Sequence, residues 1–339
     1  MLIFQIILFV SFIFLILGYS YIVLTPGLLS GCTPILSYIK SLAQSFITMV
    51  LSTGFKTNFK LCETKQDIKK IINEDTDKID IIICNHTSTL DFLILTSYLK
   101  EFEIDSYNFV LKNEIVYTPG FGYIMYANPD IKLNRKWEQD KETIGKQLDN
   151  IKSNGKKQVI IIFPEGTRLT EKKLRDGREF SKSNNLPVYK NLMVPKSKGL
   201  QFIINKLLDT NRLGTIWDVT LIFPKFLEKS IGISDIFGKP IGDINTIWRT
   251  VESKKADFTD SDKFKKWLMN LWVEKDSFMT NNENIKFKQL YPESNIKISE
   301  KLHVIIILLT FIGLIFNKYG RYYLLVSFIL SYVLIIFKL

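Results

Sequence analysis

Ile81-Ile82-Ile83-Cys84-Asn85-His86-Thr87-Ser88-Thr89-Leu90-Asp91 is the stretch on which the reading of the fold turns. Its first four residues are apolar and mostly β-branched, the pattern of a strand buried on both faces. Beyond Thr89, Leu90, Phe92, Leu93, Leu95, Tyr98 and Leu99 follow a helical pattern. His86 therefore stands where a strand hands over to a helix, a frequent place for catalytic groups in α/β folds. The chain has only two histidines, and imidazole is the usual base near neutral pH. The other, His303, opens an apolar run near the C-terminus, so a histidine-dependent reaction falls to His86.

His86 and Asp91 do not share a helical face, because five positions at roughly 100° each leave them about 140° apart. With the histidine outside the helix and Thr87 or Ser88 as N-cap, Asp91 falls in the first turn. From there its carboxylate can turn back to accept a hydrogen bond from the imidazole and fix its tautomer. Ser88-x-x-Asp91 is also a capping box, in which Asp91 only caps the helix. Both readings stand at this point.

Outward from this centre, charge divides the chain. Residues 1–55 hold one charged residue, Lys40, and residues 302–339 hold only Lys318, Arg321 and Lys338. Nearly all the charge therefore lies between, in residues 56–301. Leu2 to Leu24 is uncharged and long enough for a membrane helix at about 20 residues. No Lys or Arg precedes it, which argues against a cleaved signal peptide, although Leu29-Ser30-Gly31-Cys32 has the look of a lipoprotein cleavage site. Residues 35–55 suggest a second helix at the membrane interface. Leu302–Phe316 and Tyr322–Phe337, joined by Asn317-Lys318-Tyr319-Gly320-Arg321, predict a membrane hairpin, with a buried helical pair as the alternative. The expected organisation is a membrane-associated segment over 1–55, a catalytic domain over 56–301 and a hairpin over 302–339.

Three cysteines, Cys32, Cys62 and Cys84, have no metal-ligand spacing and leave an odd number for pairing. Reduced thiols, no metal site and a body facing the cytosol are expected. Cys84 is either core or, less simply, the nucleophile of a cysteine hydrolase. The Asn85-His86-Thr87 sequon, if glycosylated, would block the histidine, again favouring a cytosolic face. The net charge of +11 accompanies no aromatic-basic recognition motif, so anionic lipid is a simpler partner than nucleic acid.

Within the body, Asp67 to Asn73 predicts a helix, and Phe109–Lys112, Ile131–Leu133 and Val159–Phe163 predict strands. Tyr117-Thr118-Pro119-Gly120-Phe121-Gly122-Tyr123 predicts a tight turn beside an apolar groove. Arg135, in Asn134-Arg135-Lys136-Trp137, is either an anion ligand or solvated surface. The strand ending at Phe163 stops at Pro164-Glu165-Gly166-Thr167-Arg168. A free glycine N–H, a hydroxyl and a guanidinium there suit a phosphate. The turn is not a Walker loop. Leu192-Met193-Val194-Pro195-Lys196 predicts another strand followed by a basic turn.

Taken in order, Asn-His-x4-Asp at 85–91, Pro-Gly-Phe-Gly at 119–122 with Asn-Arg-Lys-Trp at 134–137, Phe-Pro-Glu-Gly-Thr-Arg at 163–168 and Val-Pro-Lys at 194–196 resemble the four motifs of glycerolipid acyltransferases. The similar branch is that of 1-acylglycerol-3-phosphate and lysocardiolipin acyltransferases. Trp217-Asp218-Val219-Thr220 and Trp272-Val273-Glu274-Lys275-Asp276 also resemble that branch. The resemblance implies an α/β fold, a mixed sheet surrounded by helices, with membrane helices at both ends. It implies that His86 deprotonates a glycerol hydroxyl that attacks the thioester of acyl-CoA, with Asp91 orienting His86 and no acyl-enzyme. Arg135, Glu165, Gly166, Thr167 and Arg168 would hold the acceptor's phosphate, Pro195 and Lys196 would shape the same pocket, and Pro119, Gly120, Phe121 and Gly122 would line a groove. Lys196 departs from the arginine frequent in related branches, and lysine offers no bidentate fork.

The implied activity is acylation of a lysophospholipid, 1-acyl-sn-glycerol-3-phosphate to phosphatidic acid, with no cofactor beyond acyl-CoA as co-substrate. The alternatives are lysocardiolipin or other lysophospholipid remodelling, a thioester hydrolase, and a non-catalytic membrane-shaping protein. The expected setting is the endoplasmic reticulum membrane, catalytic face to the cytosol.

Overall fold

The computed structural model describes residues 2–24, 43–118, 121–151, 156–224, 237–251, 258–290 and 298–337. At its centre are β2 (Ile79–Cys84) and β5 (Gln158–Ile162), parallel neighbours with every residue buried. Alternation along β2 sends Ile82 and Cys84 into one core, and Ile79, Ile81 and Ile83 into another on the opposite face. That is why the strand reads as a continuous apolar run rather than an alternating one. Each buried isoleucine contributes roughly 1.5–3 kcal/mol. Cys84 is fully buried among these side chains, with its thiol pushed well up by burial, so it is core and not a nucleophile.

Eight strands form one mixed sheet in the order β4-β3-β5-β2-β6-β7-β1-β8. These include β1 (Thr57–Leu61), β3 (Tyr107–Lys112), β4 (Ile131–Leu133), β6 (Leu213–Ile222), β7 (Gly242–Thr250) and β8 (Lys288–Leu290). From β4 to β6 the strands run parallel; β7 is antiparallel to β6, and β8 to β1. The helix predicted over 67–73 is present at Lys65–Ile72. One face packs on the helix Asp91–Glu101 through Ile94, Leu95, Tyr98 and Leu99. The other is covered by the helices Trp137–Asn150, Lys198–Asp209 and Ser261–Thr280 through Ile144, Leu148, Ile203, Leu207, Leu268 and Trp272.

Three expectations change. Leu192–Val194 is not a strand: the segment is extended, and Lys196 N–H donates to Pro164 O (2.9 Å) while Lys190 and Asn191 N–H are held by the Asp276 carboxylate (2.7 and 2.6 Å). Side-chain and loop partners have replaced a ladder there. The Tyr117–Tyr123 turn gives way to a short helix, Phe121–Ala127. A Cβ on Gly122 would lie 2.4 Å from Val116 O, so only glycine permits this approach; Pro119 and Gly120 lie outside the described residues.

The third concerns the two ends. Among the described residues no single helix is long and apolar enough to cross a membrane. The regular N-terminal helix, Leu2–Gly18, becomes a π-helical segment at Tyr19–Leu24, and at ~1.5 Å per residue its 17 residues reach about 26 Å, short of the ~30 Å of a bilayer core. Residues 43–54 are helical, within the interfacial helix expected over 35–55; residues 35–42 of that stretch, and Cys32, lie outside the described residues. The predicted hairpin is an elbow: Ile305–Phe316 and Lys318–Tyr332 meet at 107°, and only the two together are long and apolar enough for a span. The Asn317 side chain accepts from Tyr319 and Gly320 N–H (2.9 and 3.2 Å), starting a new helix where a turn was expected.

These ends also touch each other. Phe14 packs on Phe311 (5.5 Å), and Tyr323 hydroxyl donates to Tyr21 O (2.9 Å). Tyr332 hydroxyl reaches Tyr117 O (2.8 Å) beside the Phe121–Ala127 helix.

Candidate active site

β2, β3, β4 and β5 all point their C-terminal ends toward one edge of the sheet, so the turns that follow them converge there. Asn85 anchors the turn after β2. Its side chain donates to Leu221 O (2.9 Å) and accepts from Leu221 N–H (2.8 Å), tying the turn to β6. Asn85 is fully buried, so a missing glycan at this sequon says nothing about which side of a membrane the body faces.

His86 stacks on Phe163 at 4.5 Å and its Nδ1 lies 2.8 Å from Asp91 Oδ2. The same oxygen accepts from Ser88 N–H (2.9 Å), and Ser88 Oγ accepts from Leu90 N–H (3.1 Å). One Asp91 oxygen thus contacts both the imidazole and the Ser88 N–H, while the helix begins at Asp91 with Leu90 as its N-cap, not Thr87 or Ser88 as expected. Asp91 is fully buried; burial raises its carboxyl, and the imidazole beside it works in the opposite direction. With Nδ1 so engaged, Nε2 has no hydrogen-bond partner among the described residues, and the ring stays partly open to solvent. That tautomer leaves a lone pair facing outward, as a general base requires.

Glu165 Oε1 accepts from His86 N–H (3.3 Å). Its carboxyl is raised to about 8, first by burial and further by the nearby Asp91, so it is mostly neutral at pH 7. Gly166 adopts φ +68°, and its N–H, expected to be free for a phosphate, is instead spent on Phe163 O (2.9 Å), closing the turn. A side chain there would press on the Lys196 ammonium at 3.3 Å. Glycine thus lets a lysine lie over the turn. Arg135, itself at φ +64°, donates to Gly166 O (2.7 Å). Arg168 and Lys196 are exposed and Pro195 is buried.

The structure brings together His86, Asp91, Arg135, Glu165, Gly166, Thr167, Arg168 and Lys196; Phe121 and Gly122 belong to the separate helix near the chain ends. Sequence reading missed Lys173, whose ammonium donates to Thr167 Oγ1 (2.5 Å) and Arg168 O (3.3 Å). Nothing in Glu171-Lys172-Lys173 distinguishes it from a solvated charge run. It also missed Lys275, fully buried, ion-paired with Asp218 and donating to Val219 O (2.5 Å) and Ile83 O (3.3 Å) beneath the β2 and β6 ends. No group of three or more His, Cys, Asp or Glu among the described residues could hold a metal ion.

Comparison with known proteins gives matches to acyltransferases. Residues 64–205 match the family model described as Acyltransferase. The chain is 26% identical over 251 residues to lysocardiolipin acyltransferase 1 of Mus musculus, covering 70% of this chain and 65% of that one. It is 31% identical over 199 residues to 1-acyl-sn-glycerol-3-phosphate acyltransferase delta of Mus musculus, covering 58% of this chain and 51% of that one. The chain thus spans between half and two thirds of the length of these relatives. The crystal structure of the 1-acyl-sn-glycerophosphate acyltransferase from Thermotoga maritima shares the fold, with a TM-score of 0.50 and 14% identity over 82% of this chain and 96% of that one.

Proposed function

We propose, from the match of residues 64–205 to the acyltransferase family model, that this protein transfers an acyl chain from acyl-CoA to the free hydroxyl of a lysophospholipid, 1-acyl-sn-glycerol-3-phosphate fitting the site best. The observation that carries the reading is the 2.8 Å His86–Asp91 contact beside a turn rich in cations. His86 Nε2 takes the proton of the acceptor hydroxyl. The oxygen attacks the thioester carbon, the C–S bond breaks, and the imidazolium returns the proton to the departing CoA sulfur. Asp91 stabilises the imidazolium between these steps. Arg135, Arg168 and Lys196 hold the acceptor's phosphate, and a mostly neutral Glu165 leaves their charge uncompensated. Lysocardiolipin or other lysophospholipid remodelling is the second reading, supported by the similarity to a lysocardiolipin acyltransferase.

The same proposal puts the terminal helices against a bilayer, with the body on the cytosolic side of the endoplasmic reticulum. Ile3, Ile7, Leu309, Phe316, Tyr319 and Val326 are exposed on these helices, an apolar surface that suits burial at a membrane interface. The test is CoA release by purified protein given acyl-CoA with and without 1-acylglycerol-3-phosphate. Release that requires the acceptor and yields phosphatidic acid supports the reading. Equal release without acceptor indicates a hydrolase, and none with any lysophospholipid indicates a non-catalytic protein.

A further inference from the structure

Lys173 occupies a place in the cradle that one negative charge does not explain. Its backbone N–H bonds the N-capping Thr170 hydroxyl (3.2 Å), which fixes the residue on the first turn of the helix Glu171–Ser183. Its side chain then folds back over Thr167 and the Arg168 carbonyl. A lysine ammonium has three donors, and these two contacts leave one unspent. Lys112, Arg135, Arg168 and Lys196 also belong to this edge, and among the described residues none of the five makes an ion pair. The Lys173 ammonium is held below its ordinary range, first by desolvation and then by Arg168, Lys112 and Arg135. An anion entering among them would relieve that repulsion.

A phosphodiester carries one negative charge, whereas a phosphomonoester carries between about 1.5 and 2 at neutral pH. We propose that Lys173 binds the second negative charge of a terminal phosphate, so that the site selects lysolipids ending in a phosphomonoester over those whose phosphate bridges to a further headgroup. This rests on the lysophospholipid reading above and decides between its two acceptor classes.

The experiment compares wild-type protein with Lys173→Met on 1-acylglycerol-3-phosphate and on 1-acylglycerophosphoglycerol in the same mixed micelles. Equilibrium binding of each lipid without acyl-CoA is measured in parallel. The expected result is a rise in KM and Kd for the monoester of ~10- to 200-fold, the range of one charge-assisted contact. The diester should change less than about 3-fold, kcat should be kept, and Lys173→Arg should retain the monoester preference. Equal loss for both lipids would mean that Lys173 only braces Thr167, and no change for either would remove it from the site; each overturns the proposal. The binding arm reads the proposal even without turnover. Selective monoester binding without transfer would overturn the acyltransferase reading and leave this one standing.

Discussion

The N-terminal end of the parallel strands and the Glu165–Arg168 turn beyond their C-terminal ends handle lysine in opposite ways. At the N-terminal end, Lys157 just before β5 pairs with Asp80 of β2 at 2.6 Å, both buried. Asp80 is further held by Trp217 Nε1 and Thr215 N–H, each at 2.9 Å. Over the Glu165–Arg168 turn, Lys196 and Lys173 make no ion pair among the described residues, and Glu165 of that turn is mostly protonated at pH 7. A closed pair is part of the fold's own structure. An unpaired group of cations is complete only when a ligand brings the negative charge.

That contrast can be broken most directly at the base itself. His86→Ala should lower transfer by about 10³-fold or more with the melting temperature unchanged, and Asp91→Asn should follow with a loss of ~10²–10⁴-fold. Near-normal activity in Asp91→Asn would mean that the carboxylate matters only as a cap, since Asn caps about as well. At the closed end, Lys157→Met should destabilise the fold by roughly 3–5 kcal/mol, because it strands a buried carboxylate. Denaturant unfolding would show this, while KM for the acceptor stays fixed. At the open end, Arg168→Ala should reverse that signature, with stability within about 0.5 kcal/mol of wild type and acceptor KM raised ~10- to 200-fold.

The smallest difference sought is a pH slope. Glu165 binds its proton up to about 8 when folded, against 4.5 in an unperturbed carboxyl. Between these values the folded state holds more protons than the unfolded one, so wild-type stability falls as pH rises. Glu165→Gln keeps an acceptor for His86 N–H but cannot ionise. Melting temperatures at pH 5 and pH 8.5 should show the variant gaining on wild type with rising pH; parallel curves would show that Glu165 ionises normally in the fold.

How much of this could be read beforehand depends on where each residue's partner lies. β2 and β5 were legible because burial on both faces leaves uninterrupted β-branched runs, and His86 because the body has no other histidine. The contact of Asp91 with His86 was legible, since it requires only a five-residue reach. β1 and β7 were not: Thr57-Asn58-Phe59-Lys60-Leu61 and Gly242-Asp243-Ile244-Asn245-Thr246 keep polar groups that pair across strands, as in Lys60–Asp243 at 2.5 Å. Leu192–Val194 has a strand's composition, but the backbone on either side of it is held by Pro164 and Asp276, contacts invisible in one dimension. The apolar ends were evident, whereas the elbow at Asn317 depends on Gly320 approaching the Leu314 carbonyl, where a Cβ would lie 2.4 Å away. Lys173 and Lys275 acquire their roles only through the residues they fold onto.

The most direct measurement is the steady-state kinetics of wild type and Arg168→Ala with 1-acylglycerol-3-phosphate and with neutral monoacylglycerol at one acyl-CoA concentration. If the unpaired cations of the C-terminal edge hold the acceptor's phosphate, wild type prefers the phosphorylated lipid. Arg168→Ala then loses ~10- to 200-fold on that lipid alone. Equal loss on both lipids, or a wild type that prefers the neutral one, would contradict it.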